Sequence, residues 1–312
     1  MRQAQKGILA PVPQLARYLL FSIAPGKNSA GSLRNLCKLA DGDKTVVGLG
    51  QSLVLTVGGN IPGLAVFPTY AASDIDVPST QTSLWCWLRG DDRGELIHRG
   101  RAIARSVAPG LQLEQIIDGF RYKSGFDLSG YEDRTENPKG AAAVKVAIVT
   151  GQGAGFDGGS FVAVQQGVHD LNTFEAMTTR EQEHAMGRRK RDNKEIGNAP
   201  TSAYVKRTAQ ESFDPHGFYC ETVYALGRRT QGRSSIRGVR KLFLRVRRTV
   251  AKNGRRRRWH RGRVVHIHTP YFRELFVVPT DGQRAPRLAQ GRSMTKIKRD
   301  GLSVAYEMTR AI

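Results

Sequence analysis

Residues 127–138 read DLSGYEDRTENP, and the interpretation of the whole chain depends on this stretch. It combines four acidic residues with one glycine and a closing proline, a composition typical of a turn or a helix N-terminus. The simplest role for Asp133 is therefore a turn or capping residue. The alternative is a carboxylate that takes part in chemistry, and the surrounding sequence has to decide between the two.

Apolar runs on both sides of this stretch predict strands at residues 18–24, 45–57, 82–88 and 160–168. Helical spacing of apolar residues predicts helices at 29–41, 95–109 and 178–193, the last beginning with a capping box at Thr179. Alternation of helices with strands of antiparallel character predicts an α+β fold. After Phe218 the alternation of predicted helices and strands ends, and residues 227–248 show no sustained helical or strand period of apolar residues.

The chain has 312 residues, enough for one large domain or two of ordinary size. No run of 18 apolar residues occurs, so no transmembrane helix is expected, and Pro and Gly interrupt the N-terminus too often for a signal peptide. Cys37, Cys86 and Cys220 lack metal-ligand spacing. An odd count without a secretion signal predicts reduced thiols in the cytoplasm.

Charge divides the chain into two unequal regions. Residues 1–218 contain 25 Lys or Arg and 22 acids, whereas residues 219–312, the basic region, contain 24 Lys or Arg and 5 acids. The stretch 247–264, RRTVAKNGRRRRWHRGRV, has nine cations and no acid. Taken alone, this balance indicates a polyanionic partner such as nucleic acid.

The stretch 127–138 resembles the haem-pocket signature of dye-decolourising (Dyp-type) peroxidases, Gly-x-x-Asp-Gly followed by Thr-Glu-Asn-Pro. The matching residues are Gly130, Asp133, Thr135, Glu136, Asn137 and Pro138. Further segments resemble the family in the same order along the chain: residues 7–19, 84–96, 159–171, 181–193 and 200–215. The resemblance covers residues 1–218.

This resemblance implies two ferredoxin-like α+β halves with antiparallel sheets, residues 1–125 and residues 126–218, with haem b held in the second half. It also implies an oxidoreductase whose haem iron reduces hydrogen peroxide while a dye or phenolic reductant is oxidised. A cytoplasmic homo-oligomer with no membrane contact is expected.

The resemblance assigns Asp133 the role of proton acceptor and donor towards peroxide. It places Asp133, Thr135, Glu136, Asn137 and Arg207 at the haem.

Tyr204 occupies the position of the family's proximal His ligand to the iron. A tyrosinate can ligate haem iron, provided that a neighbouring group lowers its pKa. The alternative is that Tyr204 does not bind iron at all. His169 and His216 are then the possible substitutes, although an isolated His is more often structural.

Two further positions depart from the family pattern. Arg134 stands where the family has the second Gly, and a side chain costs about 1–2 kcal/mol there if the backbone requires positive φ. Its guanidinium could also pair with Asp133 and hold that carboxylate ionised. Gly167 stands where a large aromatic residue is usual, which predicts a packing gap.

After residue 218 the family continues with Arg-Arg-Ser-Met-Pro-Trp, which supplies a distal Arg, whereas this chain reads YCETVYALGRR. Back-translation with permitted codons and a shift of one nucleotide converts that stretch to IARRSMPW. We therefore predict that residues 219 to about 290 are the family's C-terminus read out of frame, and that 291–312 are read-through. On this hypothesis the C-terminal part of the fold is disrupted and residues 219–312 form a disordered basic tail.

Two functions follow from the sequence. The first is a haem peroxidase whose activity in this chain is impaired. The second is a non-catalytic binding protein whose basic tail contacts nucleic acid or anionic surfaces. The frame hypothesis weakens the second, because arginine runs arise when a GC-rich gene is read out of frame.

Overall fold

The structure is a computed structural model of the chain. It describes residues 4–62, 64, 82–132, 137–152, 156–169, 171–208, 218–226 and 239–247. The predicted α+β class is confirmed, with antiparallel strands that carry helices between them.

The first half has seven elements after a short 3-10 turn at Lys6–Ile8. They are β1 (Leu15–Ile23), α1 (Ser29–Cys37), β2 (Thr45–Leu49), α2 (Gln51–Thr56), β3 (Leu84–Gly90), α3 (Arg93–Val107) and β4 (Leu111–Phe120). The strands lie in the order β2-β3-β1-β4, and every neighbouring pair is antiparallel. This is the strand order of a ferredoxin-like fold.

Local sequence explains where the two long helices begin. The Asn28 side chain accepts a hydrogen bond from the Gly31 N–H and begins α1, and the Asp92 carboxylate accepts one from the Glu95 N–H and begins α3. Both helices bury apolar residues at helical spacing, which are Leu33, Leu36, Leu96, Ile103 and Val107. The two helices therefore bury an apolar stripe each, as the sequence pattern predicts.

Aromatic side chains fill one part of the first half's core. Tyr18 of β1 stacks on Trp85 and Trp87 of β3, with ring centroids 5.9 and 6.4 Å away. The guanidinium of Arg89 lies 4.7 Å from the Trp87 ring centroid. All three rings are buried, so this cluster is a large apolar contribution to the stability of the first half.

The edge strand β2 is closed by a side chain. The Gln5 amide donates to the Val47 carbonyl at 2.8 Å and accepts from the Val47 N–H at 2.9 Å. Gln5 thus pairs with β2 as the backbone of a further strand would. An edge satisfied in this way does not offer that N–H and carbonyl to another chain.

The second half contributes α4 (Gly140–Ala147), β5 (Phe161–His169), α5 (Leu171–Glu175), α6 (Thr179–Met186), α7 (Tyr204–Thr208), β6 (Phe218–Leu226) and β7 (Val239–Arg247). Strand β7 pairs with both β6 and β5 along nearly their whole lengths. The two groups of strands form one seven-stranded sheet, β2-β3-β1-β4-β6-β7-β5, joined where Phe120 of β4 lies opposite Tyr224 of β6.

Three local expectations are corrected. Residues 45–57 form a strand and then a helix, because Gly50 separates β2 from α2 at the Gly-rich break that the prediction read through. The capping box of α6 is made by Thr178 with Glu181, one residue earlier than predicted. Helix α6 ends at Gly187, whose left-handed φ of 79° stops it well before residue 193.

The strands β6 and β7 lie in the region predicted to be disordered, so that expectation is wrong for residues 219–226 and 239–247. Four of the five residues at 242–246 of β7 are apolar, but the Gly- and Arg-rich residues on either side obscure this short run in a longer window. The disordered tail otherwise falls on residues outside the described part, and the division at residues 125 and 218 stays a prediction. Among the described residues, no helix is long and apolar enough to cross a membrane.

Candidate functional site

The predicted site residues fall partly outside the described residues. Asp133, Arg134, Thr135 and Glu136 lie in a gap between Glu132 and Asn137, and His216 lies in another. The backbones of His169 and Arg207 are described, in β5 and α7, without their side chains. The structure therefore shows what holds the residues on either side of Asp133.

Residues 126–132, the motif loop, fold back on themselves just before Asp133. The backbones of Phe126 and Glu132 form an isolated β-bridge, and the Asp127 N–H donates to the Tyr131 carbonyl at 2.7 Å. The buried Asp127 carboxylate accepts the Ser129 N–H at 2.8 Å, as in an Asx turn. The local sequence alone thus closes the turn.

Gly130 is required at the tip of this loop for two reasons. Its φ of +89° lies in a region that L side chains rarely adopt. A Cβ atom there would also lie 2.9 Å from Lys190 Cε. The first Gly of the motif therefore permits close packing of Lys190 on the loop.

Tyr131 anchors the motif loop in the protein interior. Its side chain is 2% exposed, the Phe174 ring meets it edge-on at 6.2 Å, and the Lys190 ammonium lies 5.6 Å from its ring centroid. Burial, and then the negative charge of Glu183, raise the pKa of Tyr131 to about 12. The phenol therefore stays neutral at physiological pH.

Lys190 belongs to a tight connection after α6, residues 187–196. The backbones of Arg188 and Glu195 form a bridge, and Asn193 adopts a positive φ of 55° within the turn. The Lys190 N–H donates to the Glu183 carboxylate at 3.0 Å, which ties the connection back to α6. The Asn193 amide reaches the Glu132 carboxylate at 3.4 Å.

The same connection holds helix α7, which begins at Tyr204. Lys206 and Glu195 form an ion pair at 2.5 Å, and the hydrogen bond from Lys206 holds the pKa of Glu195 below its usual range. A Cβ atom on Gly187 would overlap Val205, so Gly187 also permits close packing of α7. Residues 187–196 therefore join the motif loop to the segment that begins with Tyr204.

Tyr204 is the first residue of α7, and its side chain is 37% exposed. Arg207 follows three residues later in the same helix, a spacing that brings two positions to one side of a helix. Asn137 is half-buried just after the undescribed part of the motif. Gly167 lies on β5 opposite Lys241 of β7.

The structure thus brings together described parts of three stretches that the sequence singled out separately: residues 127–132 of the motif, residues 187–193 after α6, and residues 204–206 of α7. Sequence reasoning missed Tyr131, Lys190 and the pair of Glu195 with Lys206. The signal for the first two was the motif glycine, because an obligatory Gly often marks a close approach by another segment. No comparable signal points to the ion pair.

The side chains of the described residues limit which metal or cofactor the site could hold. Within the described residues, no group of three or more His, Cys, Asp or Glu side chains could hold a bare metal ion. Haem requires only one or two axial ligands, and a phenolate oxygen is among the ligands that haem iron takes. Tyr204 therefore fits haem by its donor chemistry, whereas its exposure is greater than a pocket-enclosed ligand would show.

Comparison with known proteins gives a consistent result. Residues 125–217 match the family model described as Dyp-type peroxidase, C-terminal. The dye-decolorizing peroxidase of Mycolicibacterium paratuberculosis is 32% identical over 130 residues, which are 41% of this chain and 37% of that protein. The chain thus aligns with little more than a third of that relative's length.

Solved structures match over more of the chain. A Dyp-type peroxidase from Shewanella oneidensis superposes with a TM-score of 0.68 at 22% identity, over 80% of this chain and 84% of that one. A variant of DypB from Rhodococcus jostii RHA1 in complex with haem gives a TM-score of 0.65 at 21% identity, over 77% and 82%. At these identities the likeness establishes the fold.

Proposed function

We propose that the chain is a Dyp-type peroxidase, a haem-dependent enzyme that reduces hydrogen peroxide and oxidises a dye or phenolic reductant, because residues 125–217 match that family's C-terminal model and the fold matches its solved structures. One observation supports this most strongly. The family match spans residues 125–217, and within that span the motif loop, the connection 187–196 and α7 contact one another.

Haem b, when bound, supplies the iron at which peroxide is reduced. On this proposal Tyr204 provides the protein ligand to that iron. Thr135, Glu136, Asn137 and Arg207 would hold the porphyrin, and a structural relative's solved complex with haem supports the cofactor.

Asp133 holds and moves the proton in this proposal. Its carboxylate accepts a proton from peroxide and returns one to the leaving oxygen. Such transfer requires a heavy-atom distance of about 3 Å, so the placement of Asp133 matters as much as its pKa. Tyr131 and Glu132, held by Lys190 and Asn193, position the chain immediately before Asp133.

We propose further that turnover is slower than in a family member with the usual residues. Arg134, if it pairs with Asp133, keeps that carboxylate from carrying a proton. The basic region lacks the Arg-Arg-Ser-Met-Pro-Trp segment, and with it a donor for the negative charge that develops as the peroxide bond breaks. Loss of one such donor costs about 100- to 1,000-fold in rate.

The proposal also includes hydrogen peroxide as substrate, an organic reductant, a homo-oligomeric state and a cytoplasmic location. The last two rest on the sequence alone. Contact with nucleic acid through the basic region is the rival function, and it requires no cofactor.

A haem titration tests the proposal. The purified chain, mixed with haemin, should develop a protein-bound Soret band and peroxide-dependent oxidation of an anthraquinone dye. Asp133→Asn should lower the oxidation rate at least tenfold without removing the band. Asp91→Asn, an exposed position of the same chemistry in the first half, is the matched control. A chain that binds DNA but gives no Soret band would favour the rival function.

A further inference from the structure

The two halves of the sheet follow one plan, and among the described residues the second half lacks one strand of it. The first half has the order β2-β3-β1-β4, and the second has β6-β7-β5. Matching β6 with β2, β7 with β3 and β5 with β1 brings the two orders into agreement, and the matched neighbours are antiparallel in both halves. The position beside β5, where the first half has β4, is therefore an edge of the described sheet.

Strand β5 lacks the features that usually protect the edge of a sheet. Its nine residues, FVAVQQGVH, include no Lys, Arg, Asp, Glu or Pro. Its pairing with β7 is regular at every position, from Phe161 with Arg247 to His169 with Val239, without a bulge. The opposite edge of the sheet, β2, has only five residues and is closed at Val47 by the Gln5 side chain. A long, regular and uncharged edge strand offers its N–H and carbonyl groups to a further strand.

The plan of the first half fixes the direction of a strand that fills this position. Strand β4 is antiparallel to β1, so the corresponding strand beside β5 is antiparallel to β5. A twofold axis at Gln165, the middle of β5, places the β5 strand of a second copy in this direction. Val162 then lies opposite Val168, and Ala163 opposite Gly167. Two copies of β5 therefore match each other in length and direction.

Charge distinguishes a second copy from the chain's own basic region as the occupant of this edge. Residues 248–312 contain 16 Lys or Arg and 4 acids. A strand from them would lie two strand spacings, about 10 Å, from β7, whose residues include four cations. The β5 strand of a second copy adds no Lys or Arg, and its own β7 lies three spacings, about 14 Å, from the first β7. Repulsion between exposed charges decays over about 8 Å at physiological salt, so the second copy meets less of it.

We propose that the chain forms a twofold dimer in which the β5 strands of two copies pair antiparallel, so that the two seven-stranded sheets become one continuous sheet. This interface deepens the homo-oligomeric state of the proposed function. It requires no haem, so the dimer and the peroxidase activity can fail separately. Because Gln165 lies on the twofold axis, the two copies of this residue are directly opposite each other, with about 5 Å between their Cβ atoms.

Sedimentation equilibrium of the full, nuclease-treated chain tests the interface through charges placed at its centre. Gln165→Lys and Gln165→Glu each set like charges opposite one another, and each should raise the dimer Kd about threefold to fivefold. An equimolar mixture of the two variants should form a heterodimer at least as tight as the unmodified dimer, because the opposed charges then attract. The matched control Gln112→Lys, at an exposed position of β4, should leave the Kd within twofold of the unmodified value. A Kd that both lysine substitutions change equally, or a mixture no tighter than its components, would overturn the interface.

Hydrogen exchange of the unmodified chain locates the contact without any substitution. The least protected amides of residues 162–168 should exchange at least fivefold more slowly above the dimer Kd than below it, while residues 45–49, in the closed edge strand β2, should not change. A chain that is monomeric at every concentration contradicts the proposal. If its β5 amides are then protected throughout, a segment of the same chain occupies this edge. Circular dichroism checks the fold of each variant, and if the variants at residue 165 do not fold, the exchange measurement decides alone.

Discussion

The first half of the chain and the basic region contribute strands to the same sheet, although their sequences differ sharply in charge. Strands β1 and β3 are held by buried side chains, among them Tyr18, Trp85 and Trp87. Strands β6 and β7 are defined by backbone pairing, in a region beyond the end of the family match at residue 217. The superposition with the Shewanella protein nevertheless covers 80% of the chain, more than residues 1–217 supply.

This difference shows that strand order and chemistry have different requirements. A strand needs β-propensity and a partner, which many sequences supply. A catalytic pocket needs particular side chains at particular positions, and a run of arginines does not supply them. The basic region thus takes part in the fold while the segment with the distal Arg is missing.

The largest expected effect comes from restoring the residues that the Dyp-type family uses at its haem site. If residues after Phe218 are the family's C-terminus read out of frame, restoring that frame together with Tyr204→His and Arg134→Gly should raise the peroxidase rate at least 100-fold. The distal donor alone contributes about 100-fold or more, and the His restores the family's iron ligand. Soret absorbance and dye oxidation measure the result. No Soret band in the fully repaired chain would show that these residues are wrongly assigned. A single repair, Tyr204→His, serves as the intermediate control.

The next effect concerns how strongly the two groups of strands depend on each other. Leu242→Pro removes a backbone donor from β7, which lies between β6 and β5. Within the described residues, the strand pairing between β4 and β6 is Phe120 with Tyr224 alone. We therefore expect amides of residues 161–169 to lose hydrogen-exchange protection while residues 84–90 keep it. Cys86→Pro, in the equally central β3, is the reciprocal variant and should expose residues 15–23 and 111–120. Loss of protection everywhere in both variants would mean that the sheet unfolds as one unit.

A smaller effect is expected from the anchor of the motif loop. The pKa of Tyr131, about 12, lies above the value near 10 of an unfolded chain, so the folded state favours the neutral phenol. This stability is fully present below pH 10 and is lost as the pH rises through 12, by up to about 2–3 kcal/mol. Urea unfolding at pH 9 and pH 11.5 measures it.

Tyr131→Phe should remove this part of the pH dependence, since Phe has no proton to lose. Tyr204→Phe, at an exposed tyrosine, should keep it. If the two variants lose stability equally between these pH values, Tyr131 is not the group responsible.

The smallest effect concerns the closed edge of the first half. Gln5→Ala removes two hydrogen bonds to Val47 and should lower the free energy of unfolding by about 1–2 kcal/mol. Gln112→Ala, at an exposed position of β4, should change it by less than about 0.5 kcal/mol. Thermal unfolding compares the two. An equal, small change in both variants would mean that the hydrogen bonds between Gln5 and Val47 stabilise the fold no more than hydrogen bonds to water would.

Much of the fold could be read from the sequence, and the reasons are local. Asn28, Asp92 and Thr178 are the capping residues of α1, α3 and α6, and buried stripes at helical spacing follow the first two. The errors arose where a short-range signal was outweighed. Gly50 separates β2 from α2 within the predicted strand 45–57, and the short apolar run in β7 was hidden by the Gly- and Arg-rich residues around it. The motif at 127–138 predicted the candidate site. The contacts that hold the motif loop, made by Tyr131, Lys190 and the connection 187–196, were not predicted.

By itself, the sequence determined the α+β class, the division of charge and the motif at 127–138, because composition, periodicity and capping act over a few residues. The ferredoxin-like arrangement was expected only from the family resemblance. Only the tertiary structure decided that Lys190 lies on Tyr131 and that Glu195 pairs with Lys206. These contacts join residues of separate elements. Nothing in the local pattern specifies such a partner, because close packing and charge pairing depend on which surfaces the folded chain brings together.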